Sequence, residues 1–281
     1  MRGGAILLAV LAAGPALADN TGLEPLTRRD QLLGWEAVGR LDLGDGGGFC
    51  TGTLIATDLV LTAAHCVYDP NGEPEDPAQM TFRSGYAEGE AVAQSPALRV
   101  VALPGYDPLT PVSQQNVRND VALVQLAQPI PAAVAAPFLV KAPGKGDAVS
   151  VVSYAAGRAE MLSWQRECRV LERADSLVAL DCDVTFGSSG APVLDRSGAR
   201  AQIVSIISAG GPTGQGQLAF GMELPGAVAA LKKQLATGQV LAEAGAVASG
   251  EKPPETKPGV RRIGSGDGSS RDIGARFVSP P

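Results

Sequence analysis

The 281-residue chain predicts an all-β fold, two six-stranded antiparallel β-barrels followed by a short C-terminal helix. Three observations predict it. Between Glu36 and Leu224, twelve short runs rich in Val, Ile, Leu and Thr are separated by Gly, Pro, Asn and Asp, the punctuation of strands and turns. No helical segments alternate with them, which argues against a parallel α/β sheet. The Pro- and Ala-rich segment PIPAAVAAPFLVKAPGKG, residues 129–146, divides the runs into two groups of six.

In chain order, residues 1–18 read as a signal peptide, with Arg2 before an apolar stretch that ends in Ala16-Leu17-Ala18. That stretch is too short to span a bilayer, and no later run is long enough. The expected location is outside the cytoplasm, periplasmic or extracellular. Residues 19–35, with the dibasic Arg28-Arg29, form either a removable pro-segment or an arm. The main domain is expected over 36–240, with barrels at about 36–128 and 147–224. The first group of strands comprises EAVGRLDL, FCTGTLI, DLVLTA, MTFRSG, ALRVVAL and DVALVQL. The second comprises DAVSVVSY, CRVLE, SLVALD, APVLD, AQIVSIIS and QLAFGME. After Pro225, GAVAALKKQLATG has apolar residues at helical spacing and a closing Gly. Residues 241–281 read as a tail, whose part from 249 is rich in Pro, Gly, Ser and charge and is expected to be disordered.

The formal charge is −6, or −7 once residues 1–18 and their single Arg are removed. An acid excess argues against nucleic acid or an anionic membrane as partner. The four cysteines permit three pairings. Cys50 and Cys66 bracket one strand–turn–strand unit, and Cys168 and Cys182 bracket another, so two local staples are expected. One histidine and no Cys-x-x-Cys leave a zinc site without ligands, and no metal or cofactor is expected.

The single histidine, His65 in LVLTAAHCV, follows an apolar strand and two small residues that leave its ring approachable. A general base needs a nucleophile and an orienting carboxylate. Asp120 in VRNDVALVQL stands at the start of a buried strand, where it could fix an imidazole tautomer. In DVTFGSSGAPVLD, the turn from Gly187 to Ala191 can aim successive N–H groups into one concavity, with Ser189 as nucleophile. Taken singly, an Asn-Asp pair before a strand and a Gly-Ser-Ser-Gly turn are ordinary loop features.

Together these stretches resemble the trypsin/chymotrypsin-like serine peptidase family. TAAHC is similar to its histidine motif, NDVALVQL to its aspartate motif and GSSGAPV to its G-x-S-G-x-P nucleophile motif, in the order His, Asp, Ser. That order excludes an α/β-hydrolase. The resemblance covers about residues 36–235 and implies a double barrel with its active site between the halves. It also implies Ser189 as nucleophile, His65 as base then acid, Asp120 as orienting group, and the N–H groups of Gly187 and Ser189 as oxyanion hole. The implied activity is that of a secreted serine endopeptidase acting on polypeptide as a monomer, without a cofactor. The rival reading is a catalytically silent binding module on the same fold.

Ser188 stands where many animal members carry the aspartate that receives a new N-terminus. The chain looks closer to bacterial members similar to the glutamyl endopeptidases, yet has no second histidine for a Glu pocket. For the specificity pocket the resemblance nominates Asp183, six residues before Ser189, together with Ser205, Ile206 and Gly221. A basic preference through Asp183 and a small or apolar preference both stay open.

Overall fold

A computed structural model describes residues 22–44, 48–213 and 216–245, without the side chains of 212–216. The expected signal peptide at 1–18 and the tail from 246 onward lie outside the described residues. In chain order the elements are β1 (Glu24–Pro25), β2 (Val38–Asp42), β3 (Phe49–Ala56), β4 (Leu59–Thr62), β5 (Thr81–Ser84), β6 (Ala93–Ala102), α1 (Gln114–Asn119), β7 (Ala122–Leu126) and β8 (Leu139–Val140). There follow β9 (Ala148–Ala155), β10 (Arg158–Ala174), β11 (Leu177–Leu180), β12 (Pro192–Asp195), β13 (Gln202–Ile206), β14 (Ala209–Thr213), β15 (Gly216–Met222), α2 (Pro225–Ala236) and β16 (Ala242–Glu243).

The first six expected strands close on themselves in the order β2, β3, β4, β7, β6, β5 and back to β2. Full closure leaves no free strand edge. The second six form a sheet in the order β15, β11, β10, β9, β12, β13. Its two ends meet through a side chain, because the Ser205 hydroxyl donates to Met222 O (2.8 Å) and accepts from Met222 N (3.0 Å). The trypsin-like double-barrel architecture expected from the sequence is therefore present. Its second half departs in detail: β14 extends the sheet past β15, and β8 pairs in parallel with β13.

Both halves share one apolar core. Leu41, Leu54, Leu61, Phe82 and Leu123 from the first half join Val152, Tyr154, Leu162, Leu194 and Ile206 from the second. A smaller cluster, including Val151, Val170, Val193 and Ala219, belongs to the second sheet alone. Each fully buried Leu, Ile or Phe contributes roughly 1.5–3 kcal/mol relative to an exposed one.

The arm is built into this core. Its β1 pairs with Ser163 and Trp164 of β10, Leu26 and Leu32 are buried, and Trp35 packs against Trp164 at 5.3 Å between ring centroids. Residues just beyond 240 pair with the first sheet. Leu241 N donates to Val100 O (2.8 Å), Ala244 N donates to Leu98 O (2.8 Å), and β16 lengthens the first sheet beside β6.

Candidate active site

His65 lies in a 3-10 turn at Ala64–Val67, directly after β4, and the turn is stapled to β3 by the Cys50–Cys66 disulfide. Cys168 and Cys182 form the second disulfide. Ala63 and Ala64 are buried, so the backbone is fixed while the ring keeps 16% of its exposure.

Asp120 follows α1 and is 3% exposed. Such a buried carboxylate requires hydrogen-bond donors, and three supply them. The backbone N of His65 donates to Asp120 Oδ1 (2.8 Å), His65 Nδ1 meets Oδ2 (2.8 Å), and Ser208 Oγ donates to Oδ2 (2.6 Å). With an acceptor-only carboxylate opposite, Nδ1 carries the proton and Nε2 presents a lone pair. Among the described residues, Nε2 has no hydrogen-bond partner.

The Gly-Ser-Ser-Gly turn depends on two left-handed residues, Gly187 (φ +88°) and Gly190 (φ +74°). Side chains are excluded at both for steric reasons too. A Cβ on Gly187 would stand 2.7 Å from Phe49 Cε2 and 2.8 Å from Ala155 Cα. A Cβ on Gly190 would overlap Thr51 O and Thr62 Oγ1 and lie 3.0 Å from Ala63 N. The turn is thus pressed against the strands that lead into His65, and Thr51 N donates to Ser189 O (2.9 Å) across the seam. Ser188 N donates to Thr185 O (3.0 Å), and the buried Ser188 hydroxyl donates to Ser153 Oγ (3.3 Å).

The residues nominated for the specificity pocket have the following surroundings. Ser205 spends its hydroxyl on Met222, and Ile206 is buried in the shared core. A Cβ on Gly221 would overlap Ile206 O, so Gly221 serves close strand packing. The serine that reaches Asp120 is Ser208, three residues further on, after the chain has left β13. Only its place in the run IVSIISAGG could have signalled it. Asp183 is half-buried, and its Oδ2 lies 3.8 Å from where a Cβ on Gly22 would stand, so the carboxylate faces the arm. Burial, with Asp181 adding to it, pushes the Asp183 carboxyl above the usual range. Val184 instead meets β14, its Cγ2 lying 2.5 Å from where a Cβ on Gly210 would stand.

A depression lined by His65, Asp120, Ser208, Tyr106 and Val112 adjoins a cavity of about 300 Å³, with Val112 and Val117 lining both. Leu177, Ala179 and Phe220 make the cavity apolar.

A closed six-stranded barrel and a second sheet, meeting where a Gly-Ser-Ser-Gly turn packs against the strands that lead into His65, define the class of trypsin-like double-barrel folds. The chain belongs to that family: the model for the trypsin-like peptidase domain matches residues 50–200. Human serine protease 56 is 36% identical over 96 residues, covering 34% of this chain and 14% of that protein. Trypsin theta of Drosophila erecta is 31% identical over 144 residues, covering 46% of this chain and 50% of that protein. The matched stretch therefore spans at most half the length of these two relatives. A Glu endopeptidase solved in complex with MPD superposes with a TM-score of 0.61 at 20% identity, covering 79% of this chain and 98% of that one. Protease Anisep from Arthrobacter nicotinovorans superposes at 0.59 and 18% identity, covering 78% of this chain and all of that one. At such identities the likeness is one of fold.

Proposed function

We propose that the protein is an exported serine endopeptidase that cleaves polypeptide through Ser189, His65 and Asp120, acting as a monomer. The observation that carries this reading is the double grip of Asp120 on His65, through the backbone N and ring Nδ1, which leaves Nε2 presented as a base. In the proposed reaction, Ser189 Oγ attacks the scissile carbonyl while its proton passes to His65 Nε2. The carbonyl oxygen becomes an oxyanion held by the N–H groups of Gly187 and Ser189. On collapse, the C–N bond breaks and His65 returns the proton to the leaving amine, leaving an ester on Ser189. Water, deprotonated by His65, then cleaves that ester and regenerates the hydroxyl.

The edge strand β14 supports an extended substrate on the acyl side, since it pairs only with β15 among the described strands. A peptide adding there as a further strand would carry its acyl-side residues past Ser208 toward the apolar cavity. Its side chains should accordingly be apolar two to four residues before the scissile bond. Fluorophosphonate labelling followed by peptide mapping tests the reading. Ser189 should carry the adduct, and Ser189→Ala should abolish both labelling and casein hydrolysis. Unlabelled wild-type protein would overturn it in favour of a binding module.

A further inference from the structure

A second cavity, of about 360 Å³, lies between the first barrel and α2, which packs against β6 and β7. Asp58, Arg99 and Gln125 line it from the barrel, Lys232 and Leu235 from α2. The strand register builds the barrel side. Gln125 on β7 has Arg99 of β6 as its cross-strand partner on one side and Leu59 of β4 on the other, so the three side chains share one face. Gln125 and Leu59 stand toward the ends of β7 and β4 that point away from Asp120 and His65. At about 3.3 Å per residue, the strands set this cavity on the order of 15 Å from the His–Asp pair.

Gln125 spends both ends of its amide here. Its Oε1 accepts from Arg99 Nε (2.9 Å), and its Nε2 donates to Asp58 Oδ2 (3.1 Å). The Arg99 guanidinium is thereby held by one edge. Its two terminal nitrogens make no hydrogen bond or ion pair among the described residues, and they are open to solvent. Glu243, its cross-strand neighbour on β16, forms no ion pair with it. Lys232 is exposed and likewise has no ion pair among the described residues. The lining thus carries two cations against the single carboxylate of Asp58, in a chain with six more acids than bases. Leu59, Leu235 and Ala236 add an apolar wall.

We propose that this cavity is a binding site, separate from the catalytic centre, for a carboxylate carried on an apolar body. The free edge of a guanidinium matches a carboxylate in two parallel hydrogen bonds, and Lys232 supplies a second, point-like charge. With Asp58 counted, the lining has one net positive charge, which suits a monoanion better than a phosphate or sulfate dianion. The volume falls within the range of roughly 300–1,000 Å³ for small-ligand sites. Two sources carry that chemistry, the free C-terminus of a peptide ending in an apolar residue and an acidic side chain.

The test titrates the full-length protein with N-acetyl-leucine and with N-acetyl-leucinamide, which share one body and differ in the carboxylate. Binding is followed by the NMR shifts of the Gln125 side-chain amide and requires no turnover, so it stands whether or not the protein cleaves polypeptide. Wild type should bind the acid about tenfold or more tighter than the amide. That ratio should fall several-fold in Arg99→Gln and in Lys232→Gln, and to near one in the double variant. Lys232 lies on an exposed helix face, so its variant keeps the test valid if Arg99→Gln is destabilised. N-acetyl-glutamic acid α-amide separates the sources: tighter binding than N-acetyl-leucine assigns the site to an acidic side chain, and weaker binding assigns it to a chain terminus. Equal affinity for acid and amide, or a preference that survives the double variant, would overturn the site. Inorganic phosphate binding as tightly as N-acetyl-leucine would overturn its selectivity for a carboxylate.

Discussion

Asp120 holds three donors on two oxygens, and they are not equivalent. The His65 backbone N and ring Nδ1 fix where the imidazole stands, while Ser208 neutralises the side of Oδ2 that the ring does not reach. Hydrogen bonds to a charged group are worth about 1.5–3 kcal/mol, and each 1.36 kcal/mol is a factor of about ten in rate. Ser208→Ala should therefore lower kcat/KM by about 10- to 100-fold and also cost about 1.5–3 kcal/mol of stability, as the buried Asp120 loses a donor. Ser205→Ala should keep most activity while losing about 1–2 kcal/mol of stability as Met222 N and O lose their partner. Steady-state kinetics and denaturant unfolding on the two variants separate the roles; a larger kinetic loss in Ser205→Ala would return the catalytic position to it. The sequence reading named His65, Asp120 and Ser189 because each lies in a short motif whose residue types are dictated by local geometry. It missed Ser208 because two serines in IVSIISAGG satisfy the same pattern, and the point where a chain leaves a strand is not written in spacing. For Asp183, a count of six residues fixes contour length but not direction, and its carboxylate stands beside the arm.

The raised carboxyl of Asp183 has a consequence for pH. Because its folded value lies above the unfolded one of about 3.9, the folded state binds that proton more tightly. The resulting contribution to stability is fully present below about pH 3.9 and is lost as pH rises through the folded value. Asp183→Asn should thus melt higher than wild type at neutral pH, with the difference closing as pH falls to about 4. A constant difference across that range would assign the effect to packing rather than charge.

At the scale of elements, all twelve expected strands have counterparts, because half-buried strands must alternate and their turns must carry Gly, Pro, Asn or Asp. What escaped is short or polar. Helix α1, QQNVRN, has six residues and only Val117 as an apolar anchor, and it is started by Ser113 Oγ accepting from Asn116 N. The first half of β10, RAEMLSWQRE, alternates too weakly to announce a strand, yet it buries Ser163 and Gln165 in the sheet. The disulfides were legible because each closes one strand–turn–strand unit, with sequence separations of 16 and 14 residues. In the chain-entropy model such loops are worth about 3 kcal/mol each. Replacing either pair by Ala should lower the denaturant midpoint by a similar amount. Only the Cys50/Cys66 replacement should also depress kcat, since Cys66 is the residue after His65. Equal kinetic losses for both pairs would show that the first staple does not position the base.

Over the whole molecule, the division into two halves is a feature of strand pairing and not of packing. The larger apolar cluster takes residues from both sheets and from the arm, including Leu26, Leu32 and Trp35. Removing the arm at Arg28-Arg29 would strip Leu26 and the β1 pairing from that core, which argues that the arm is structural. Tyr154 is the clearest link between the halves. It is fully buried on β9, and its hydroxyl donates to Tyr86 O (2.8 Å), which follows β5 of the first barrel. Burial, the dominant influence, pushes its phenol well above the ordinary range, so the hydroxyl remains a donor throughout the accessible pH range. A core common to both sheets predicts one cooperative transition, with calorimetric and van't Hoff enthalpies equal. Tyr154→Phe removes the donor and leaves Tyr86 O unsatisfied, at a cost of about 1–3 kcal/mol. For a domain of this size, about 1 kcal/mol corresponds to roughly 2–4 °C. The variant should therefore melt several degrees lower in a single, shifted peak. Two resolved peaks, or a shift confined to hydrogen exchange in β9–β13, would mean that the halves are independent folding units and that the shared cluster is only a contact between them.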